Sequence, residues 1–281
     1  NVKYWGVGNE NWGCGGNMSA EYYADLYRNY ATYLNGAPFK IAGGANSDDY
    51  NWTEVLMQKT NRYRNLIQGL SLHYYTIPHN WQNKGSSTEF TEAEWHQTLT
   101  RTLHMEELVS RHGTIMDKYD PQKHIGLMVD EWGTWYDVVP GTNPGFLFQQ
   151  NTLRDALVAG INLNIFNNHA DRVKMANIAQ MVNVLQAVIL TKDEQMVLTP
   201  TYYVFKMYNV HHGAKLIPLN LKVEDYELEG RKIPAANASA SIKDGVVSIT
   251  FTNLNPNKPV KMEVELTGYD IKKGSGKIVT A

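Results

Sequence analysis

Apolar and polar positions divide the chain into two regions with different periods. Up to about residue 190, short apolar runs alternate with longer segments of helical spacing, a pattern typical of βα units around a parallel sheet. The apolar runs predict five strands, at residues 2–8, 39–43, 70–74, 125–129 and 161–166. The helical segments predict helices at residues 19–35, at 53–65, from 91 onward, at 149–159 and at 178–190.

Two of these helices begin with capping signals. Ser19 can accept a hydrogen bond from a first helical turn, and Thr91 with Glu94 forms the capping-box pattern. The first helix is expected to end at residues 35–36, before Pro38. The apolar faces expected to pack in the core are Tyr23, Tyr27, Tyr30 and Leu34 in the first helix, and Trp95, Leu99 and Leu103 in the helix that begins near residue 91.

From about residue 200 the period changes to two. Apolar residues at 247, 249 and 251, and again at 260, 262, 264 and 266, alternate with polar ones, as in antiparallel strands with one wet face. Asp244–Gly245 and residues 255–257 supply turns between strands. The chain is therefore predicted to divide into a βα domain at residues 1–190 and a β-sandwich domain at 191–281.

Composition narrows the class of partner. The chain has 281 residues, with 26 Lys and Arg against 28 Asp and Glu, and no basic run, so neither a nucleic acid nor a membrane is expected as a partner. A single cysteine, Cys14, excludes an internal disulfide and a Cys-rich zinc site. The 17 Tyr and 7 Trp often stand beside polar residues, which suits sugars, although aromatic residues that only fill a core would look the same.

Two glutamates each follow a predicted strand. Glu10 lies in Gly-Asn-Glu-Asn-Trp, and Glu131 lies in Asp-Glu-Trp. Because active sites of parallel βα sheets lie at the carboxyl ends of strands, both carboxylates are expected in one pocket. Glycoside hydrolysis needs such a pair. Burial beside Trp12 is expected to raise the pKa of the acid, and the alternative interpretation is two surface glutamates at strand ends.

Other chemical signals are weaker. Gly6-Val-Gly8 begins like a dinucleotide-binding loop, but Asn11 occupies the third glycine position. The histidines do not have the spacing of a metal site, and Cys14 has no adjacent histidine, which favours a structural role. Neither a cofactor nor a metal is predicted.

Four segments make the sequence recognisable. They read WGVGNENWGCGG at residues 5–16, LHYY at 72–75, DEW at 130–132, and HADRV followed by ANIAQ within 169–180. In this order they closely resemble the α-L-arabinofuranosidases of glycoside hydrolase family 51, in clan A, and the resemblance covers essentially the whole chain. The Asn-Glu pair is shared by the wider clan, whereas NWGCGG and HADRV are more specific.

The resemblance implies roles for individual residues. Glu10 would be the general acid/base and Glu131 the nucleophile of a retaining double displacement. Asn9 would hydrogen-bond the C2 hydroxyl of the sugar, and Tyr75 would orient the nucleophile. Further pocket residues implied in the same way are Gln180, which would bind sugar hydroxyls, and Trp135 and His73, which would line or support the pocket. Residues 169–172 are expected to form a salt-bridged loop rather than part of the catalytic machinery.

The resemblance also implies a (β/α)8 TIM barrel followed by an antiparallel β-sandwich. The five βα units would be numbers four to eight, so residues 1–190 would be the C-terminal portion of the barrel and 191–281 an incomplete sandwich. We expect strands one to three to come from the same parent polypeptide or a companion chain, because the first residues already read as a strand. Localisation stays open, and a homo-oligomer is implied.

The implied function is an exo-acting retaining α-L-arabinofuranosidase that releases terminal arabinofuranosyl groups from arabinoxylan, arabinan or derived oligosaccharides. Two alternatives stay open from the residues alone. Another clan A glycosidase, such as an endo-β-glycanase, shares the Asn-Glu pair and the distant glutamate. A non-catalytic carbohydrate-binding protein with a decayed barrel would also keep the aromatic pocket.

Overall fold

A computed structural model describes residues 2–34, 36, 39–63, 65–268 and 272–280 of the chain. Its first region is a parallel sheet of five strands that pair in sequence order. The strands are β1 (Tyr4–Val7), β2 (Phe39–Asn46), β3 (Gly69–Thr76), β4 (Gly126–Thr134) and β5 (Val173–Ile178). The helices that connect them are α1 (Ala20–Tyr33), α2 (Tyr50–Thr60), α3 (Glu92–Tyr119) and α4 (Leu153–Asn168). This curled sheet with its crossover helices confirms the predicted βα architecture.

The predicted caps are confirmed. Ser19 accepts a hydrogen bond from the backbone of Tyr22, and Thr91 with Glu94 makes a complete capping box at the start of α3. The predicted face of α1 is partly wrong, because Tyr23 and Tyr27 are buried whereas Tyr30 is exposed. The predicted end of this helix at residues 35–36 and Pro38 lies largely outside the described residues.

The strand predicted at residues 161–166 is wrong, because this segment belongs to α4. The helix lies between the parallel sheet and the C-terminal strands, so it is buried on nearly all sides and shows no helical period. Some of its polar residues are satisfied inside this layer, as where Asn164 accepts a hydrogen bond from Ser239 at 2.9 Å. The true fifth strand follows at β5, which the sequence analysis did not predict.

The helix predicted at residues 178–190 is also wrong. Asn183 and Leu185 have positive φ angles of 62° and 51°, which a right-handed helix does not permit. A hairpin of β6 (Ile189–Lys192) and β7 (Gln195–Leu198) follows, and the helix after it is α5 (Pro200–Tyr208). The domain division predicted between residues 190 and 191 falls within β6 and stays a prediction. None of the helices in the described ranges is both long and apolar enough to span a membrane.

The C-terminal domain is a β-sandwich. Its strands are β8 (Lys215–Leu216), β9 (Asp225–Leu228), β10 (Arg231–Pro234), β11 (Ala236–Lys243) and β12 (Val246–Asn253). They form two antiparallel sheets, in the orders β12-β11-β8 and β10-β9. Asp244 and Gly245 have φ angles of 50° and 77° and make the predicted tight turn between β11 and β12.

The strand predicted at residues 260–266 is wrong. The alternation of side chains is present in the sequence, but no other strand of the described chain pairs with this segment. A strand needs a neighbour to complete its ladder of backbone hydrogen bonds, and a period of two does not show whether that neighbour exists.

The edge strand β1 of the parallel sheet is much more exposed than the inner strands. β2, β3 and β4 are largely buried, whereas Tyr4 and Trp5 of β1 are 51% and 40% exposed. Parallel sheets are normally covered on both faces, so exposed apolar side chains on β1 are unusual for an isolated domain. The carboxyl ends of β1, β3, β4 and β5 meet at one end of the sheet, where the candidate site lies.

Candidate active site

The carboxyl ends of the parallel strands bring together most of the site residues predicted from the sequence. Asn9 and Glu10 follow β1, and Gln180 follows β5. His73 and Tyr75 lie near the end of β3, with Glu131 in the adjacent β4 and Trp135 directly after that strand. Glu10, His73, Tyr75, Glu131 and Trp135 are joined by hydrogen bonds or ring contacts, whereas Asn9 and Gln180 are exposed at the same end.

His73 lies between the two predicted catalytic carboxylates. Its Nδ1 atom donates a hydrogen bond to Oε1 of Glu10 at 3.0 Å and lies 3.3 Å from Oε2 of Glu131. One oxygen of Glu10, one of Glu131 and a ring nitrogen of His73 all lie within 4.8 Å of one another. The two glutamates, distant in sequence, therefore form one close pair around a shared imidazole.

Two further residues complete this cluster, and the sequence analysis missed both. The Nε2 atom of His73 lies 3.3 Å from Oδ1 of Asp130, and the hydroxyl of Ser71 donates to the same oxygen at 2.5 Å. Adjacent side chains in a regular strand point to opposite faces, but the pairing of β3 with β4 shifts register between Ser71 and His73. Both Asp130 and Glu131 therefore reach His73, and the Asp-Glu pair was the available signal.

The charge of the cluster shifts two pKa values. Burial lowers the pKa of His73, but hydrogen bonds to Asp130 and Glu10 and the charges of Asp130 and Glu131 outweigh it and raise this pKa to about 9. The hydrogen bond from His73 lowers the pKa of Glu10, against a smaller opposite effect of burial. The raised pKa expected for Glu10 beside Trp12 is therefore wrong for the free site, because the hydrogen bond from His73 outweighs the effect of burial.

Tyr75 holds the second carboxylate from the other side. Its hydroxyl donates a hydrogen bond to Oε1 of Glu131 at 2.6 Å. Burial, followed by the hydrogen bond and charge of Glu131, raises the pKa of Tyr75 far above its usual value. The phenol therefore stays protonated at neutral pH and remains a donor. With Tyr75 at one oxygen and His73 at the other, Glu131 has little freedom to turn.

The loop that carries Glu10 has a constrained backbone. Glu10 has a positive φ of 45°, an uncommon conformation for a residue with a side chain. Its carbonyl accepts hydrogen bonds from the amides of Gly13 and Gly15, and a Cβ at Gly15 would lie 1.7 Å from the carbonyl oxygen of Asn9. Glycine at position 15 is therefore required for the turn that presents Glu10.

Cys14 also belongs to this site. Its thiol donates to Oε2 of Glu10 at 3.3 Å, and this hydrogen bond raises the pKa of the thiol. A thiol that stays protonated is a poor nucleophile, which agrees with the structural role predicted for Cys14. The contact with Glu10 was not foreseen from the sequence.

Three aromatic rings extend from the carboxylates towards solvent. The ring of Tyr75 meets that of Trp135 edge to face at 4.8 Å, and Trp135 meets Trp81 in the same way at 5.3 Å. Edge-to-face packing fixes the orientation of each ring relative to the next. Trp81 was not singled out by the sequence analysis, although it follows β3 by a short loop.

The distances among Glu10, His73 and Glu131 would also suit the ligands of a metal ion. The chemistry of the set favours a hydrogen-bonded cluster instead. Both ring nitrogens of His73 already face carboxylates, and its raised pKa keeps the ring protonated, whereas a ligating imidazole must be neutral. A site without a metal stays our prediction.

Residues 169–172 precede β5 and lie at the opposite end of the sheet from the carboxylates. His169 contacts Glu106 at 2.6 Å, and the buried Arg172 bonds Asp120 at 3.0 Å as well as Asp117. The salt-bridged loop predicted for this segment is therefore present. It tethers the start of β5 to the end of α3.

The chain is similar to a known family of glycoside hydrolases. The sequence profile of the α-L-arabinofuranosidase C-terminal domain matches residues 130–281. An intracellular exo-α-L-arabinofuranosidase of Bacteroides ovatus is 51% identical over 100% of this chain and 55% of its own length. The chain therefore spans about half the length of this curated relative.

The chain is also similar to solved structures of family 51 arabinofuranosidases. The family 51 arabinofuranosidase of Xanthomonas axonopodis pv. citri matches with a TM-score of 0.87 and 56% identity, over 90% of this chain and 52% of its own. A family 51 α-L-arabinofuranosidase of Bifidobacterium longum matches with a TM-score of 0.76 at 21% identity, over 92% of this chain and 55% of its own, which shows a common fold.

Proposed function

The chain belongs to the α-L-arabinofuranosidases of glycoside hydrolase family 51, and on that basis we propose that it carries the catalytic carboxylates of an exo-acting, retaining α-L-arabinofuranosidase. The observation that carries the proposal is the close approach of Glu10 and Glu131, whose nearest ligand oxygens lie within 4.8 Å. Retaining glycosidases place their two carboxyl groups roughly 5 to 5.5 Å apart, whereas inverting enzymes need roughly 6.5 to 9.5 Å to admit a water.

In the proposed first step, Glu131 attacks the anomeric carbon, and the bond from that carbon to the leaving oxygen breaks. Glu10 gives a proton to this oxygen. In the second step, a water gives a proton to Glu10 while its oxygen bonds to the anomeric carbon and releases Glu131. Tyr75 supports Glu131 in both steps, because its hydrogen bond keeps one carboxylate oxygen oriented.

The lowered pKa of Glu10 and the raised pKa of His73 mean that the free site stores its proton on the imidazole. The two groups are joined by one hydrogen bond of 3.0 Å, so this proton has a direct path to Glu10. Strongly coupled groups titrate as a pair. We therefore propose that the His73–Glu10 pair acts as the general acid, with Glu10 as the group that touches the substrate.

The remaining predicted residues would complete the sugar pocket. Asn9, next to Glu10, would bind the C2 hydroxyl, and Gln180, exposed beyond β5, would bind other hydroxyls. Trp135 would form an apolar wall, since it packs against Tyr75 beside Glu131. The proposed substrates are arabinoxylan, arabinan and their oligosaccharides. The exo-acting mode is supported by the similarity to the exo-α-L-arabinofuranosidase of Bacteroides ovatus.

We propose that β1 to β5 are strands four to eight of a (β/α)8 barrel, with residues 1–190 in the barrel and 191–281 in the sandwich. The exposed Tyr4 and Trp5 on β1 support this, because a closing strand would cover them. The term "complete enzyme" is used below for this chain together with strands one to three, whether these come from the same polypeptide or from a companion chain. A homo-oligomer of the complete enzyme stays a prediction from the resemblance.

The proposal is tested with the complete enzyme on the nitrophenyl glycosides of α-L-arabinofuranose, β-xylose and β-glucose. We expect turnover of the arabinofuranoside at least tenfold above the other two. Turnover mainly of the glucoside or xyloside would favour another clan A activity. Sugar binding with no turnover of any substrate would favour a non-catalytic carbohydrate-binding protein.

A further inference from the structure

Trp81 is a large aromatic side chain that the fold holds in solvent beside the candidate active site. It is 55% exposed, although indole burial is strongly favourable. A single exposed aromatic residue needs no explanation when it is mobile or remote. Trp81 is neither remote nor loosely attached, because its ring packs edge to face on Trp135 at 5.3 Å.

The loop around Trp81 is tied down by polar contacts on both sides. The side chain of Asn80 accepts hydrogen bonds from the amides of Gln82 and Asn83, at 3.0 and 2.9 Å. The amides of Lys84 and Gly85 both donate to Oδ2 of Asp137 at 3.2 Å. The loop conformation is therefore set before any ligand arrives.

Lys84 supports the ring itself. Its ammonium group donates to the carbonyl of Trp81 at 2.9 Å and lies 6.0 Å from the centroid of the indole. With these two neighbours, Lys84 and Trp135, Trp81 remains 55% exposed, so part of its indole surface is open to a ligand. Such a preorganised aromatic face is suited to the CH face of a sugar ring, whose hydroxyls remain in water.

The strands that close the barrel would not be adjacent to Trp81. The loop follows β3, which is the middle strand of the sheet and has two strands on either side. Closing strands would pair with β1 and β5, the two edges of the sheet. Trp81 therefore differs from Tyr4 and Trp5, which lie on an edge strand that a closing strand would pair with.

We propose that Trp81 forms a subsite for the sugar ring that bears the arabinofuranosyl group, that is, for the leaving-group side of the substrate. The inference rests on the proposed function, because it takes Glu10 and Glu131 as the point of cleavage. From there the ring contacts run through Tyr75 and Trp135 to Trp81. Trp81 thereby selects oligomeric or polymeric substrates over simple arabinofuranosides.

The test compares two substrates in the complete enzyme. Methyl α-L-arabinofuranoside has no sugar on the leaving-group side, whereas an arabinofuranosyl-substituted xylo-oligosaccharide has one. We expect Trp81→Ala to lower the ratio of kcat/KM for the oligosaccharide to that for the methyl glycoside about 10-fold, the size of a lost aromatic contact. Trp81→Phe should retain most of the ratio. Tyr22→Ala, which removes an exposed ring from α1, should leave it unchanged.

An equal loss on both substrates would overturn the proposal, since Trp81 would then only support the catalytic site. An unchanged ratio in Trp81→Ala would overturn it as well. If the wild type hydrolyses neither substrate, the proposed function fails separately, and calorimetry with the oligosaccharide then decides. Binding by the wild type that is lost in Trp81→Ala would still support the subsite, and equal binding by both would refute it.

Discussion

Nδ1 of His73 lies 3.0 Å from a carboxylate oxygen of Glu10, and this single hydrogen bond links the acid/base chemistry of the site to its charge balance. Three carboxylates, Glu10, Asp130 and Glu131, surround the ring of His73, and its protonated form is the only cation among them. The imidazolium ion therefore permits the two glutamates to lie close together. The first two predictions follow from this arrangement.

The first prediction concerns stability against pH. The pKa of His73 in the folded protein is about 9, above its ordinary value of 6.5. Its stabilising contribution is therefore complete below about pH 6.5 and is lost as the pH rises through 9. Urea unfolding of the complete enzyme should show a loss on the order of 1 to 3 kcal/mol between pH 6 and pH 10 that is absent in His73→Gln. An identical pH dependence in both proteins would show that His73 is not charged in the fold.

The second prediction concerns Asp130. Its hydrogen bond and charge help to raise the pKa of His73, so Asp130→Asn should lower that pKa. The alkaline limb of the kcat/KM profile should then move to lower pH, by on the order of one unit. Asp244→Asn, an exposed change in the turn between β11 and β12, is the matched control. An unmoved alkaline limb in Asp130→Asn would separate Asp130 from the proton chemistry.

The third prediction concerns Glu10 as the acid/base. Glu10→Ala should slow substrates with poor leaving groups about 100- to 10,000-fold, because general acid catalysis contributes about that much. Aryl arabinofuranosides with good leaving groups should be affected far less in their first step. Added azide should restore turnover and give the arabinofuranosyl azide of retained configuration. Equal losses on both kinds of substrate, with no azide product, would remove Glu10 from this role.

The fourth prediction concerns Tyr75. Tyr75→Phe removes the hydrogen bond to Glu131 but leaves the ring that packs on Trp135. Hydrogen bonds to charged groups contribute about 1.5 to 3 kcal/mol, so we expect a loss in kcat of about 10- to 100-fold. Glu131→Ala should lose far more. Kinetics of the two variants on one substrate would test this, and a Tyr75→Phe enzyme as inactive as Glu131→Ala would contradict it.

The fifth prediction concerns the chain by itself. Exposed apolar side chains on the outer strand, among them Tyr4 and Trp5, favour association of unpaired edges. We expect the 281-residue chain expressed alone to be insoluble or inactive, and to become soluble and active when strands one to three are supplied. Sedimentation and an arabinofuranosidase assay measure both properties. A monomeric chain with full activity and a cooperative thermal transition would refute this account of the barrel.

The sequence predicted those parts of the fold that have a regular period or a local cap. The parallel strands before residue 130, the capping box at Thr91 and the turn at Asp244 are of this kind. It failed at α4, because a helix buried on nearly all sides has no polar face to reveal its period. It failed again at residues 260–266, because pairing depends on a neighbour elsewhere in the chain.

The candidate site was predictable to a similar extent. Glu10 and Glu131 could be found because each follows a predicted strand and has a tryptophan nearby in the sequence. Asp130 was missed although it stands next to Glu131, because only the shifted register between β3 and β4 brings both side chains to His73. The direction of the Glu10 pKa also required the three-dimensional neighbour, His73, which no local pattern places there.

Covalent trapping tests the central claim most directly, namely that Glu131 is the nucleophile of a retaining arabinofuranosidase. The complete enzyme with Glu10→Ala is mixed with an activated aryl arabinofuranoside, so that the first step proceeds and the second is slow. Peptide mapping by mass spectrometry should then find one arabinosyl group attached to Glu131, and none in the Glu10→Ala/Glu131→Gln control. An adduct on another residue, or turnover with no adduct and an inverted product, would contradict the account.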